Sequence, residues 1–521
     1  MSEATEGRRG GRRARQALRA APLADDKRPV RPGLTGGRYK PLSDADVQNV
    51  NDAVFDVLEN IGFADAIPSC VDAVTQLGGF VSEDGRLCMP RALVEDVIAT
   101  CNRDFILCGQ DPKYDIHPHG QKVHFGTGGA AVHIVDLEGN EYRESLLQDL
   151  YDMARIVDAL DHIHYFQRTI TARDMTSSRD LDINTLYACV SGTTKHVGTS
   201  FITPEHVNEA LDILHRIAGG EEQWRARPFV SQSNCFVVPP LKFATDACRC
   251  LEAAVHGDMP VLLLSAGQAG ATAPASIVGT VVQAVAECLG GLVYVNAIKK
   301  GAPAIFGPWP FISDLRSGAM SGGSGEQAIL MAACAQMGHY YDLPTGVASG
   351  MTDSKLPDIQ AGAEKGYNHA LVANAGANLI YECAGMHASL LSACIESLVI
   401  DNDICGAALR TVRGLSVDQK MLSIDVIREV CIEGPGHYLG HPQTLELMET
   451  DYVYPIIGDR LSPKEWAEVG KPSVIGRARE ETKRILDTHY PSHISSEIDA
   501  SIRAAHDIKL SESAMRPSAQ S

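Results

Sequence analysis

"GVASGMTDSK", Gly346 to Lys355, is followed by "LPDIQAGAEKGYNHALVANAGANLIYECAG", Leu356 to Gly385. The opening residues are small and β-branched, and read as a short buried strand. "DIQAGAEKGYNHALVANAG" has helical spacing, and "NLIYECAG" (Asn378 to Gly385) is a second apolar strand. Two apolar strands joined through a helix predict a parallel pair with a crossover connection. The first strand ends in Ser349, Thr352, Asp353, Ser354 and Lys355, a polar tip on an apolar run.

The same unit recurs upstream from about residue 120. "VHFGTG" (Val123 to Gly128) precedes "LLQDLYDMARIVDAL", "IHYFQRTI" (Ile163 to Ile170) precedes "DINTLYACV", and "HVGTSFI" (His196 to Ile202) precedes "PEHVNEALDILHRIA". In that third helix Pro204 suits the first turn, with Thr203 as N-cap. "FVSQSNCFVV" (Phe229 to Val238), "VLLLSAG" (Val261 to Gly267) and "AIFGPWP" (Ala304 to Pro310) each lead into a helical run. With the two opening strands the count is eight. The fifth unit leaves "LVYVNA" (Leu292 to Ala297) open as an extra strand.

Eight consecutive strand–helix units predict a closed (β/α)8 TIM barrel, of class α/β, over residues 120–411. The alternative is an open doubly wound sheet, but no G-x-G-x-x-G follows the first strand. Residues 40–119 read as a helical N-terminal cap, and 412–510 as a C-terminal helical region packed on the barrel. Residues 1–39, basic and polar, and 511–521 read as flexible tails.

The chain has 521 residues, 45% of them hydrophobic, enough for a large core. Its net charge of -19 argues against nucleic acid as a partner, because phosphate binding needs a basic face. No uninterrupted apolar run reaches the ~20 residues of a membrane span. The opening "MSEATEGRRGGRRARQALRA" lacks the apolar segment of a signal peptide. Fourteen scattered cysteines then read as reduced thiols in a cytoplasm.

In a barrel of this kind the chemistry sits where the C-terminal strand ends meet their loops. Those ends offer Thr127, Phe166, Gln167, Arg168, Phe201, Asn234, Ser265, Gln268, Trp309, Phe311, Ser349, Asp353, Tyr381, Glu382 and His387. The set is rich in aromatics and amides and poor in nucleophiles. Aromatic faces attract poorly solvated cations, quaternary ammonium groups above all. Phe166, Phe201, Trp309, Phe311 and Tyr381 are the candidate cage, and "FGPWPF" holds Trp309 between two prolines.

No metal site is predicted. His437 and His441 in "GPGHYLGH" have a metal-like spacing, but glycines and a proline break the helix that would align them. Cys248 and Cys250 point to different faces of a helix. "SGAMSGGSGEQ" is either an anion cradle at a helix start or a flexible rim loop, and it lacks the lysine of a P-loop.

"DLRSGAMSGGSGEQAILMAACAQMGHYYDLPTGVASGMTDSKLPDIQAGAEK" (Asp314 to Lys365) with "GANLIYECAGM" resembles the trimethylamine methyltransferase (MttB-like) family of corrinoid-dependent enzymes. "GHYLGHPQTLELM", "EWAEVG", "RAREET" and the opening "RRGGRRARQ" carry the same resemblance, which spans most of residues 40–490. It implies a (β/α)8 barrel, as the strand count does. Archaeal trimethylamine enzymes of the family carry pyrrolysine. Chain order places its counterpart near Gly350 or Met351, so this chain is similar to the non-pyrrolysine members, glycine betaine methyltransferases among them.

The resemblance implies methyl transfer from a quaternary amine to the Co(I) corrinoid, a cobalamin, of a small partner protein. Glycine betaine, giving dimethylglycine, leads; proline betaine, carnitine, butyrobetaine and trimethylamine are alternatives. No tightly bound cofactor is expected, nor a membrane, and a homo-oligomer is compatible. A quaternary nitrogen leaves as a neutral amine, so the protein needs neither base nor nucleophile, only desolvation and alignment. Arg168, His387, Lys355 or backbone N–H groups would hold a substrate carboxylate, Arg168 with the best bidentate geometry, and Asp353 or Glu382 would position the ammonium. Outside this class stand a barrel lyase or decarboxylase and a betaine-binding relative without catalysis.

Overall fold

The computed structural model describes residues 39–415, 417–434 and 436–517. The N-terminal tail reading therefore falls almost wholly outside the described residues.

Eight strands follow one another in chain order: β1 (His124–Phe125), β2 (Phe166–Gln167), β3 (Val197–Thr199), β4 (Val230–Asn234), β5 (Val261–Ser265), β6 (Ala304–Pro308), β7 (Gly346–Ala348) and β8 (Leu379–Tyr381). All pairings between neighbours are parallel: β2 to β6 form one ladder, and β7–β8–β1 a second. Parallel bridges Gly126–Tyr165 and Phe306–Thr345 join the two ladders. The circle is closed, and the protein is a (β/α)8 barrel. An open sheet would leave edge strands, and here each strand has two neighbours.

Each strand is followed by its helix: α1 (Leu147–Ala159), α2 (Ser178–Gly192), α3 (Pro204–Ala218), α4 (Thr245–His256), α5 (Ile277–Ile298), α6 (Gly325–Tyr340), α7 (Ile359–Asn374) and α8 (Ile395–Arg413). β5 and β6 are buried at every residue, as parallel strands covered on both faces require. Local chemistry sets the helix starts. Asp358 accepts from the Ala361 amide at the start of α7, and Ser324 from Gln327 at the start of α6. Thr203 sits at the N-cap of α3 with Pro204 next, but its side chain makes no capping bond.

"LVYVNA" is not a strand. It is the second half of α5, 22 residues long, which packs on the barrel inside and on helices Asp44–Asp56, Pro68–Gln76 and Arg91–Thr100 outside. A helix covered on both sides is apolar all round and loses the periodic signal that separates helix from strand. Its length and composition also match a membrane span, yet it is largely buried inside the protein. Helix Val474–Thr488 lies against α8 and α1, and Ser496–Ala505 against α3. Part of the stretch read as a loose C-terminus is ordered. Glu512–Met515 form a 3-10 turn, and Met515 Sδ approaches the Tyr187 hydroxyl. All fourteen cysteines are free thiols.

The ladder closure between β1 and β2 depends on a missing side chain. A Cβ added at Gly126 would lie 2.1–2.4 Å from atoms of the Tyr165 ring, which is fully buried and meets Tyr381 edge-on. Gly126→Ala is therefore expected to lose about 2–3 kcal/mol or more by overpacking, read as a fall in melting temperature. An unchanged melting curve would show that the ring moves freely.

Candidate active site

A cavity of about 470 Å³ opens at the C-terminal ends of the strands. β2 contributes Gln167 and Arg168, the β3 end Phe201, β4 Asn234, the β6 end Trp309 and Phe311, and the β8 end Glu382. Leu264, Ala266, Ala247 and Leu390 complete an apolar wall.

Trp309 is fixed at both ends. Its amide donates to Ser265 O at 2.8 Å, and its indole Nε1 to Gly346 O at 3.0 Å. The ring packs on Tyr381, centroids 4.9 Å apart, and Tyr381 in turn meets Tyr165 edge-on at 5.0 Å. This column of three aromatics crosses the barrel top, and only Trp309 reaches the cavity.

Arg168 and Glu382 bring the charge. Among the described residues Arg168 has no ion pair, and its guanidinium makes one hydrogen bond, to Thr171 Oγ1 at 3.2 Å. Burial lowers its pKa from the usual guanidinium value. Burial pushes the Glu382 carboxyl up to about 8, against the opposing pull of Arg168. Glu382 Oε2 has no hydrogen-bond partner among the described residues, and neither has Asn234 Oδ1. Glu382 also adopts the left-handed conformation, φ +62°, which costs a non-glycine residue about 1 kcal/mol or more. Gly128 and Gly129 make room for it: a Cβ on Gly128 would stand 3.0 Å from the Glu382 carboxyl. A guanidinium and a carboxyl thus line one cavity with no hydrogen bond or ion pair between them among the described residues.

The remaining predicted residues are elsewhere. Phe166 is wholly in the core. Tyr381 lies beneath Trp309, outside the lining. The Ser265 hydroxyl donates to Glu287, a carboxylate buried in α5. Gln268 belongs to a two-residue strand beside Phe311–Ile312 and accepts from Ser313. Ser349 Oγ pairs with His369 at 3.0 Å, and His387 Nε2 with Ser397 Oγ at 2.8 Å. A strand end alternates its side chains, so being at the rim does not make a residue face the cavity. Gly350 and Met351 do not line it either, and Met351 is fully buried.

Asp353 answers for the polar tip of β7. It accepts from Ser321 Oγ at 2.6 Å, from the Gly322 and Gly323 amides, and from Ser389 Oγ. The glycine-rich loop before α6 therefore spends its amides on an internal carboxylate. Through Ser389 the same carboxylate anchors Ala388, Ser389 and Leu390, three successive left-handed residues, and Leu390 covers the cavity. Asp353 positions the rim without lining the cavity. Leu390 carried no signal in the sequence, since its placement depends on that turn. His441 caps helix Pro442–Thr450, accepting from the Gln443 amide.

The family model for trimethylamine methyltransferase (MTTB) matches residues 8–512. The trimethylamine methyltransferase MttB of Desulfitobacterium hafniense (strain DSM 10664 / DCB-2) is 30% identical over 473 residues, 91% of this chain and 93% of that one. A glycine betaine methyltransferase from strain Y51 of the same species is 28% identical over 469 residues, 90% of this chain and 96% of that one. Among solved structures, the hydroxylamine complex of MtmB superposes with a TM-score of 0.50 at 12% identity, covering 86% of this chain and 88% of that one. The last likeness concerns the fold alone. A match over nearly the whole chain, joined to a closed barrel with its cavity at the strand ends, places the chain in the trimethylamine methyltransferase family, and the protein is a methyltransferase.

Proposed function

We propose that this methyltransferase takes its methyl group from a zwitterionic quaternary amine, glycine betaine first, and passes it to the Co(I) corrinoid of a partner protein. One observation carries the reading: Arg168 and Glu382 face the same aromatic-lined cavity and do not pair with each other. A betaine has a carboxylate for Arg168 and a fixed cation for Trp309, Phe311 and Glu382. The relatives named for trimethylamine and for glycine betaine support the reaction class.

The substrate explains the rest of the cavity. Its C–N bond breaks with the electron pair staying on nitrogen, so the departing dimethylglycine amine is neutral at that atom and no acid is needed. The corrinoid supplies the nucleophile at cobalt. The chain's own residues exclude water, strip solvent from the cation and hold one methyl toward the mouth. Exposed Ile202 and Leu391, next in the chain to the lining residues Phe201 and Leu390, would give a partner protein an apolar landing.

The test is purified protein with Co(I) cobalamin and glycine betaine, followed by methylcobalamin absorbance and dimethylglycine formation. Both products are expected. Demethylation of trimethylamine with betaine left untouched would overturn the substrate, and transfer from neither would overturn the reading.

A further inference from the structure

Gln167 is the last residue of β2 itself, whereas Arg168, Trp309 and Glu382 lie beyond the ends of their strands. It therefore belongs to the deeper part of the cavity. Its backbone is fixed on both sides. Thr127 Oγ1 donates to the Gln167 carbonyl at 2.6 Å, and the Phe166 and Arg168 amides donate to His196 O and Gly198 O, both at 2.9 Å. The side chain is different: the residue is only 5% exposed, lines the cavity, and its amide has no hydrogen-bond partner among the described residues. A buried amide left unpaired costs free energy, which a ligand reaching that depth recovers.

A missing side chain on β3 sets which end of the amide faces the cavity. Gln167 and Gly198 are direct partners in the β2–β3 ladder and share one face of the sheet. A Cβ built on Gly198 would stand 1.7 Å from Gln167 Oε1, 2.7 Å from Cδ and 3.4 Å from Nε2. The carboxamide thus lies across β3 with its oxygen seated against the Gly198 α-carbon and its NH2 turned away, a contact of the Cα–H to oxygen kind. Gly198 is a strand residue without the left-handed φ of other glycines, so its missing side chain supplies space and not conformation.

Two kinds of donor then meet at the end of β2. The Gln167 NH2 and the Arg168 guanidinium come from consecutive residues that line one cavity, and the guanidinium spends a single hydrogen bond, on Thr171. A guanidinium has five N–H donors, so most remain for a ligand. In a circle of eight, β2 stands opposite β6, whose end brings Trp309 and Phe311. An anion held on β2 and a cation against the β6 aromatics therefore face each other across the cavity.

We infer that Gln167 is a specificity-determining residue that completes a carboxylate clamp with Arg168, its Nε2 donating to the ligand's second carboxylate oxygen, and that Gly198 is the positioning residue that seats it. For the other end of the ligand the inference rests on the betaine reading above. Gln167 lies within its strand and Trp309 beyond the end of its own, so the clamp sets the carboxylate below the ammonium and leaves a methyl group toward the mouth. It also selects the acid. A quaternary amine with no carboxylate leaves both donors unpaired, and a site built to hydrogen-bond a group rejects the analogue that lacks it.

The probe is 3,3-dimethylbutyrate, which has the carboxylate and shape of glycine betaine, carbon in place of nitrogen, and no methyl group to give. Its Kd for the full chain is read by ligand-observed NMR titration in wild type, Q167M, G198A and Q167M/G198A, with circular dichroism checking the fold. Q167M is expected to raise Kd about tenfold or more. G198A is expected to raise it as much, and the double variant no further, because both changes remove the same contact. The ratio of kcat/KM for betaine to that for tetramethylammonium is expected to fall by the same factor in Q167M. A wild type that does not bind the probe, a Kd unchanged in Q167M, or equal losses on betaine and tetramethylammonium overturns the inference. So does a double variant whose loss is the product of the single ones. Should Q167M not fold, G198A decides, and an unchanged Kd there overturns the clamp. A wild type that holds the probe through Gln167 and leaves betaine unconsumed would overturn the methyl-donor reading and keep the clamp.

Discussion

Replacing Arg168 by methionine is expected to raise KM for glycine betaine about 10- to 150-fold, the value of a hydrogen-bonded charge contact of about 1.5–3 kcal/mol. Tetramethylammonium, which has no carboxylate, is expected to be used equally by the variant and the wild type. That comparison separates lost recognition from a damaged fold. Glu382 adds a pH signature. Its pKa of about 8 in the free protein means that much of it is protonated at pH 7. A bound cation favours the carboxylate, so below pH 8 binding must expel a proton. Betaine affinity is therefore expected to rise with pH by up to about tenfold per unit, and to level off above pH 8. Glu382→Gln is expected to remove the slope. A pH profile of kcat/KM with the same slope in wild type and Glu382→Gln would sink the assignment.

Lys365→Met is expected to have the largest effect on stability. Lys365 Nζ lies 2.5 Å from Asp401 Oδ2, and both side chains are within 2% of full burial. The same carboxylate oxygen accepts from the Gly385 amide at 2.8 Å, three residues beyond Glu382. Burial already raises the Asp401 pKa. Without the lysine the carboxylate stays charged and unpaired or takes up a proton, at a cost of about 3–5 kcal/mol. The apparent melting temperature is expected to fall by roughly 3–5 °C. The double variant Lys365→Met/Asp401→Asn, which keeps an acceptor for Gly385 without the stranded charge, is expected to recover most of the loss. A double variant no better than the single one would mean that the ion pair itself, and not the isolated charge, is what matters.

The site was half legible. Arg168, Phe201, Asn234, Trp309, Phe311 and Glu382 all follow from reading strand ends, and all line the cavity. Ser349, Tyr381 and His387 come from the same rule, but each is turned into the wall, where it meets His369, Trp309 or Ser397. The difference is a rotation of one residue along a strand or a loop. It reverses which face a side chain occupies and leaves no trace in composition.

The sequence by itself determined the barrel. Each strand and helix announces itself within ten to twenty residues through local periodicity and caps, and eight such units in a row admit few closures. Tertiary structure alone decided what α5 is, because burial on both sides erases its period. It alone set Asp353 among the loop amides instead of in the cavity, and left Arg168 and Glu382 lining one cavity unpaired. Those facts depend on residues tens to hundreds of positions apart meeting in space. Their energies belong to burial and charge in a low dielectric, which no local pattern encodes.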